Sequence, residues 1–334
     1  MRWPSRARLL SSATDESGKR RRCPMTKLLT VRIPATSANL GPGFDCMGLA
    51  LDLWNTFELH RGNGAGITVE SHGEGEDVLP RDKSHLVVRT MIEELTTFIP
   101  FNPDRQAYHI VCRNAVPCGS GLGSSSTAVL AGLIFAHAVL DPQGFHGPAG
   151  SARILNRAFE IEGHGDNVAP ALLGGLVIVV GRDGEVITHR ITLPPTRVVV
   201  CVPRFHFMTS HARSVLPLHY SRSDAVFNVG RAMLVVEALR NGDASLLSRA
   251  MDDRIHEPYR LPAIPGAIEA KRAALARGAL AVTLSGAGPG ILAFAREDHD
   301  AIGQAMQSAF ATAGGLPARY WVLDVASSGA QVFV

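Results

Sequence analysis

The sequence predicts a mixed α/β protein of two domains, on three observations. Short β-branched runs alternate with longer segments whose apolar residues recur at helical spacing, which excludes a pure helical bundle or a β-sandwich. The chain has 334 residues, more than one compact core usually holds. Hydrophobic residues make up 46% of the chain and charged residues 19%, so we expect a buried core rather than disorder.

The individual elements follow from these patterns in chain order. Strands are predicted at residues 28–33, 66–70, 107–113, 176–180, 197–202, 281–284, 291–295 and 320–325. Helices are predicted at residues 85–98, 126–140, 152–162, 227–240, 244–251, 264–276 and 299–313. A glycine-bounded turn at 181–184 and a Pro-Pro break at 194–195 indicate the change of domain. The sequence therefore predicts a leader at 1–24, an ATP-binding domain at 25–180 and a substrate domain at 181–334.

Charge and cysteine content exclude several classes of protein. The formal net charge is +3, but residues 1–24 hold seven Lys or Arg, so the remaining chain has no basic excess that would indicate nucleic-acid binding. The five cysteines lack metal-ligand spacing and suit free thiols in a reducing compartment. No window reaches the ~20 apolar residues of a membrane span. We expect a cytoplasmic protein that binds neither nucleic acid nor membrane. Its leader is either an extension from an upstream start codon or, in an organellar protein, a transit peptide.

A glycine- and serine-rich segment follows the strand predicted at 107–113 and leads directly into a helix. It runs from Pro117 to Thr127 and reads P-C-G-S-G-L-G-S-S-S-T. Glycines let the backbone approach an anion closely, and unpaired N–H groups at a helix start bind phosphate. The segment lacks the lysine of a Walker A loop and the spacing of a dinucleotide loop. It predicts a phosphate cradle of another kind, with an ordinary surface loop as the alternative.

This segment resembles the ATP-binding signature P-x-x-x-G-L-G-S-S-A of the GHMP kinases, with Ser126 in place of the usual alanine. Residues 31–50 resemble the family's first motif, through P-A-T-S-A-N-L-G-P-G-F-D. Residues 284–290 resemble its S-G-x-G-P-[ST] loop, with Gly290 in place of the hydroxyl residue. The resemblance implies a ribosomal-S5-like N-terminal domain, a ferredoxin-like C-terminal domain and ATP at their junction. It assigns ATP binding to Pro117, Gly119, Ser120, Gly121, Leu122, Gly123, Ser124, Ser125, Ser126 and Thr127.

The resemblance also implies Mg²⁺ and a catalytic set. Ser125 and Glu160 are the expected metal ligands. Glu162 lies on a different face of the helix and ranks second, because the resemblance places the ligand on the earlier carboxylate. Asn167 is expected to orient the attacking hydroxyl, with Asp166 as general base being the alternative. The catalytic residues implied are therefore Asn167, Asp166, Ser125 and Glu160.

Three more segments, at 164–175, 209–217 and 251–260, resemble the parts of the family that bind L-homoserine. Two arginines can hold an α-carboxylate in bidentate geometry, and a carboxylate can bind the α-ammonium. The substrate residues implied are Asn39, Asp45, His164, Asp166, Asn167, Thr209, Arg213, Arg260, Gly286 and Gly288. His85 stands where the family often has asparagine, which leaves the adenine contacts open.

The expected reaction is phosphorylation of the L-homoserine side chain to O-phospho-L-homoserine, a step of threonine biosynthesis, by a protein expected to form a homodimer. Two alternatives remain at this point: another GHMP small-molecule kinase, such as a mevalonate, diphosphocytidyl-methylerythritol or archaeal shikimate kinase, and a non-catalytic ligand sensor. The arginine motifs around Arg213 and Arg260 favour an amino-acid substrate, and the intact phosphate cradle disfavours a sensor.

Overall fold

The structure is a computed structural model that describes residues 25–62, 64–142, 144, 147–182 and 184–334. It shows the mixed α/β architecture that the sequence predicts, built on two sheets. The predictions for the leader at 1–24 lie outside the described residues. The cysteines within the described part of the chain are free thiols, as predicted.

The first sheet has seven strands among the described residues. They are β1 (Thr26–Ala38), β2 (Met47–Arg61), β3 (Gly66–Gly73), β4 (Ala107–Asn114), β5 (Leu176–Arg182), β6 (Glu185–Ile191) and β11 (Gln331–Phe333). Their order is β11-β1-β2-β4-β3, and the hairpin of β5 and β6 joins at the start of β2. Strands β3 and β4 are parallel neighbours, whereas the other described pairings are antiparallel.

The described part of this first half has four α-helices: α1 (Leu86–Phe98), α2 (Ser124–Leu140), α3 (Pro148–Glu162) and α4 (Val168–Leu173). Helix α2 is buried on nearly every side because it packs against the sheet and the neighbouring helices. Because nearly every side of α2 is buried, its sequence has no polar face. The buried position fixes the start of α2, where the phosphate cradle ends.

The second sheet has four strands among the described residues, all antiparallel, in the order β10-β7-β9-β8. They are β7 (Arg197–Pro203), β8 (Ala281–Leu284), β9 (Ile291–Phe294) and β10 (Ala318–Asp324). The helices of this half are α5 (Thr209–Ser214), α6 (Arg222–Asn241), α7 (Ala244–Ala250), α8 (Glu257–Arg260), α9 (Ala267–Ala276) and α10 (His299–Ala313). No helix in the described ranges is long and apolar enough to cross a membrane.

An apolar core joins the two sheets. It contains Leu49 and Leu176 of the first sheet, and Val198 and Leu292 of the second, all fully buried. Side chains of α6 and α7 complete it. Because burial of such area is the main force that holds elements together, the two halves pack as one body along this core. The candidate site lies at its rim.

The strands and long helices predicted from the sequence are all present, with ends that differ by up to five residues, as at the end of β1 and the start of α6. Strands β2, β6 and β11 and the short helices α4, α5 and α8 were not predicted. The expected domain boundary at 180/181 runs through the hairpin of β5 and β6, whose residues pair from Leu176 with Ile191 to Arg182 with Glu185. The change of sheet falls instead between Ile191 and Arg197, at the Pro-Pro break.

Candidate active site

The phosphate cradle predicted at 117–127 forms the turn between β4 and α2. Gly119, Gly121 and Gly123 have φ angles of +64°, +79° and +70°, which favour glycine. A Cβ atom on Gly121 would lie 2.2 Å from the carbonyl oxygen of Ser285, so there is no room for a side chain. Gly123 is the N-cap of α2 and makes no side-chain cap bond. The N–H groups of the first turn are therefore available to an anion.

The structure divides the predicted ATP residues into two groups. Leu122 is fully buried in the joint core, and Thr127 is buried, with its Oγ1 2.9 Å from Asn55 Nδ2 and 2.8 Å from Ser124 O. Pro117 lines a second groove on the far side of the loop. The residues that line the cleft itself are Gly119, Ser120, Gly121, Gly123, Ser124, Ser125 and Ser126.

The predicted choice of Glu160 as metal ligand is corrected by the geometry. Glu160 is 57% exposed and pairs with Arg157, with 2.9 Å between Oε2 and Nη1. Glu162 lines the cleft, and its Oε1 accepts a hydrogen bond of 2.8 Å from Ser125 Oγ. Two residues along a helix turn the side chain by about 200°, so only one of the two glutamates can face the cradle. Ser125 and Glu162 are the oxygen-bearing side chains that the structure brings together at the cradle.

His164, Asp166 and Asn167 line the cleft beside this pair, as predicted from the sequence. His164 Nδ1 lies 2.6 Å from Oδ1 of the buried Asp166. Burial lowers the pKa of His164, but the hydrogen bond and charge of Asp166, aided by Glu162, outweigh it, so that the pKa is raised. Asn167 Oδ1 accepts a hydrogen bond of 2.8 Å from Thr36 Oγ1, which holds its side chain in place.

Opposite charges occupy the far end of the cleft. Arg213 donates two hydrogen bonds to Asp45, of 2.9 and 3.0 Å, in bidentate geometry. Thr209 and Arg260 line the same end. Arg260 is only 2% exposed, and its Nε donates to Ala212 O at 3.0 Å. Burial and the neighbouring Arg213 lower the pKa of Arg260, while Asp45 opposes them. A buried guanidinium at a cleft wall is a site for an anion.

The loop that contains the motif at residues 284–290 closes the cleft from the second sheet. Gly286 and Gly288 line it, as predicted. Asn39 Nδ2 donates to Gly286 O at 2.7 Å, and Asn39 Oδ1 accepts from Asp45 N at 3.0 Å. Asn39 and Asp45 both have left-handed backbone conformations, at φ +71° and +57°. Such strain persists only where surrounding contacts hold it. Asn39 thus fixes the loop that carries Asp45.

The chain is similar to known proteins over most of its length. The family profiles "GHMP kinases N terminal domain" and "GHMP kinases C terminal" match residues 85–175 and 235–312. A homoserine kinase of Moorella thermoacetica is 43% identical over 286 residues, which cover 85% of this chain and 93% of that protein. A homoserine kinase of a Synechococcus species is 40% identical over 309 residues, which cover 90% and 97%.

The chain belongs to the GHMP kinase family. Among solved structures, a homoserine kinase from Cytophaga hutchinsonii superposes with a TM-score of 0.78 at 32% identity, covering 91% of this chain and 97% of that one. Use of ATP follows from membership of the GHMP kinases. Their N- and C-terminal domain types correspond to the two halves of the fold described above.

Sequence reasoning missed parts of this GHMP kinase site. Phe207 lines the cleft but belongs to none of the motifs, and Ala287 lines it from the x position of the motif at 284–290. Glu257 is buried and accepts hydrogen bonds of 2.7 Å from Thr283 Oγ1 and Leu284 N, which anchors the loop at residues 284–290. The family resemblance of the segment at 251–260, which ends in E-P-Y-R, drew attention to Arg260 alone. A glutamate at the start of a short helix, followed by proline, was the signal that could have found Glu257.

A second groove of ≈ 800 Å³ adjoins the cleft and shares Gly119 and Ser120 with it. The groove is lined by residues 73–78 and by Arg204, His206 and Arg319. His85, whose place in the motif left the adenine contacts open, lines neither the cleft nor this groove. It is buried, with Nε2 3.4 Å from Ser71 Oγ, and burial lowers its pKa.

Proposed function

We propose that this GHMP kinase transfers the γ-phosphoryl group of ATP to the side-chain hydroxyl of L-homoserine, yielding O-phospho-L-homoserine and ADP for threonine biosynthesis. The observation that carries the proposal is the set of Asp45, Arg213 and Arg260 at the end of the cleft that faces the phosphate cradle. A zwitterionic amino acid needs both signs of charge there. Mevalonate and sugars carry no ammonium group, so they would leave Asp45 without a partner.

The nucleotide would lie along the cleft and the adjoining groove. Its phosphates would lie over the glycine loop and the start of α2, where N–H groups face the cleft. Its nucleoside would extend into the adjoining groove, which Gly119 and Ser120 connect to the cleft. The γ-phosphate would then point towards the amino-acid end, next to Asn167.

The amino acid would replace an existing ion pair. Asp45 and Arg213 now neutralise each other, with side chains 36% and 40% exposed. An exposed pair of this kind contributes little stability, about 0–1 kcal/mol, so a zwitterion can separate it at small cost. The α-carboxylate would bind Arg213 and Arg260, and the α-ammonium would bind Asp45. The side-chain hydroxyl then reaches towards the cradle.

The residues present fit magnesium. Mg²⁺ takes one or two carboxylates together with phosphate oxygens and water, and Ser125 Oγ and Glu162 Oε1 already lie 2.8 Å apart at the cradle. These two residues would hold the ion, which supplies charge neutralisation along the phosphates when bound. Glu162 would thus take the role of metal ligand that the family resemblance had assigned to Glu160.

The hydroxyl is positioned by the residues that follow Glu162. Asn167 is held by Thr36 and is the expected group to orient the attacking oxygen, while Asp166, bonded to His164, remains the alternative base. Phosphoryl transfer of the loose kind needs little early deprotonation, which favours orientation by Asn167. If Asp166→Asn lowers kcat far more than Asn167→Ala, Asp166 is the base.

The deciding experiment measures ADP release with ATP and Mg²⁺ on L-homoserine, L-serine, L-threonine, mevalonate and galactose. Arg213→Ala should raise the KM for homoserine roughly 10- to 150-fold, because a charged hydrogen bond contributes about 1.5–3 kcal/mol, and leave the KM for ATP nearly unchanged. Arg254→Ala is the matched control, since Arg254 is 50% exposed and pairs with Asp224 away from the cleft. It should match the wild type.

The substrate panel separates the alternatives. Turnover of mevalonate or galactose in place of homoserine would keep the kinase and remove the amino-acid assignment. ATP binding without turnover of any acceptor would support the ligand sensor. An equal effect of Arg213→Ala and Arg254→Ala on homoserine would contradict the carboxylate site.

A cytoplasmic location and a homodimer complete the proposal. Imaging of the tagged full chain tests the location, with organellar signal indicating that residues 1–24 act as a transit peptide. Light scattering at assay concentration tests the assembly, and a monomer mass would remove the dimer.

A further inference from the structure

Ser285 lies where the three family motifs, at residues 31–50, 117–127 and 284–290, meet. It directly follows β8 and is fully buried, and it does not line the cleft. Its Oγ is 2.8 Å from the carbonyl oxygen of Gly121 in the phosphate cradle and 2.9 Å from Ser37 Oγ in the first motif. A hydroxyl has one proton, so the two acceptors share it. Ser285 therefore ties the second sheet to both loops of the first.

The Gly121 carbonyl belongs to a peptide that has a glycine on one side. Gly121 has a left-handed φ angle of +79°, and Leu122 forms the other side of the peptide. Glycine rotates about its backbone bonds more easily than any other residue. The carbonyl end of the Gly121–Leu122 peptide is held by Ser285, and Leu122 N donates to Ser120 Oγ at 3.3 Å. A single side chain from the other sheet thus holds the carbonyl end.

The hydrogen bond from Ser285 to the Gly121 carbonyl fixes the orientation of the whole planar peptide. C=O and N–H point in opposite directions from a planar trans peptide, so a flip exchanges them. The Leu122 N–H now donates to the hydroxyl of Ser120, a residue that lines the cleft. After a flip the carbonyl oxygen would point there, and its negative partial charge would repel phosphate. Keeping the carbonyl turned away is therefore a condition for binding the nucleotide.

The surroundings hold Ser285 firmly in this position. Ser285 N donates to Gly290 O at 2.8 Å, and Gly290 N donates to Ser120 O at 3.1 Å. The residue before it, Leu284, donates its N–H to the buried carboxylate of Glu257 at 2.7 Å. Ser285 is thus built on a rigid strand end and can impose an orientation on the flexible glycine loop.

We infer that Ser285 is a positioning residue for phosphoryl transfer: its hydroxyl locks the Gly121–Leu122 peptide with the carbonyl turned away from the phosphates. It acts through the cradle and does not touch either substrate. The inference rests on the proposed kinase activity, and it assigns a role to a residue that none of the motif-based site assignments included.

The test compares three Ser→Ala changes. Ser285→Ala should raise the KM for ATP and lower kcat, each about 10-fold, with the KM for homoserine within about 2-fold of the wild type. Ser37→Ala removes only the second acceptor and should leave both kinetic constants within about 2-fold. Ser71→Ala deletes a buried hydroxyl in β3, outside the cleft, and should lower the melting temperature comparably without changing the kinetics.

A Ser285→Thr variant, which keeps a hydroxyl, should recover most of the lost kcat if it folds. The inference is overturned if Ser285→Ala has wild-type kinetics, or if its kinetic losses are matched by Ser71→Ala at equal loss of melting temperature. Failure of the proposed function is distinguishable: an inactive wild type would remove homoserine as acceptor, whereas titration with fluorescent mant-ATP would still test Ser285. Equal mant-ATP affinity of wild type and Ser285→Ala would then overturn the positioning role.

Discussion

At the scale of single residues, neighbouring side chains of one type have different roles because of the direction in which each points. Glu160 and Glu162 are both near the end of α3, yet the first pairs with Arg157 at the surface and the second with Ser125 in the cleft. A resemblance to a family motif does not resolve a shift of two residues. The helix geometry resolves it, because only one carboxylate can face α2.

The two glutamates give a matched pair for mutation. Glu162→Gln should lower kcat/KM by on the order of 100-fold and raise the Mg²⁺ concentration needed for half-maximal rate, because a metal ligand is lost. Glu160→Gln should stay within about 2-fold, since an exposed helical ion pair contributes only a few tenths of a kcal/mol. A magnesium titration of both variants checks this. The reverse ranking would return the metal to Glu160.

At the scale of elements, short helices position the substrate end of the cleft. Helix α8 has a single turn and carries Arg260, which such a helix could not hold unaided. Asp253 supports it, because its carboxylate accepts hydrogen bonds of 2.8 Å from His256 N and 2.7 Å from Glu257 N. It also accepts from Asn228 Nδ2 of α6 at 2.6 Å. The Asp253 carboxylate, which acts as a cap from outside the helix, thus connects α8 to the long helix α6.

Removing this cap should affect binding as well as stability. Asp253→Ala should cost about 1–2 kcal/mol, the usual range for a cap, and raise the KM for homoserine more than that for ATP because Arg260 loses its support. Asp243→Ala is the control, since Asp243 caps α7 through Leu246 N at 2.9 Å and lies outside the cleft. It should destabilise without changing either KM. Chemical denaturation and initial rates give both quantities.

The sequence predicts elements that a local pattern marks, and it misses residues whose partners are distant in sequence. Strand β8 and helix α10 were predicted with their observed bounds, since a compact apolar run or a clear helical period marks each. Strand β2 was missed because its first five residues, Met47–Leu51, are buried on both faces between the two sheets and show no alternation. Glu257 and Ser285 were missed because their partners lie far away in sequence, which a motif does not record.

At the scale of the whole molecule, the site exists only while the two sheets remain packed together. The loop at 39–45 connects strands of the first sheet, but its partners belong to the second half of the chain. His256 Nε2 lies 2.9 Å from Gly41 O, Asn228 Nδ2 lies 3.3 Å from Pro42 O, and Arg213 binds Asp45. Substrate bound between Asp45 and the arginines would therefore contact both halves and stabilise the folded chain.

This linkage can be measured by thermal unfolding. Homoserine at 100 times its Kd should stabilise the wild type by about 2.7 kcal/mol, and a non-hydrolysable ATP analogue at 100 times its own Kd should do the same. Asp45→Asn should lose the protection by homoserine and keep that by the nucleotide. Its unliganded melting temperature should change little, because the Asp45–Arg213 pair is exposed and contributes about 0–1 kcal/mol.

Two outcomes of the unfolding experiment would contradict the proposal that Asp45 binds the ammonium group of homoserine after separating from Arg213 at small cost. Undiminished protection of Asp45→Asn by homoserine would show that another group binds the ammonium. A large fall in the melting temperature of the unliganded variant would show that the ion pair itself holds the sheets together, which the apolar core around Leu49 and Val198 is expected to do. Asp224→Asn is the matched control, because it breaks a surface pair with Arg254 away from the cleft. Homoserine should protect that variant as it protects the wild type.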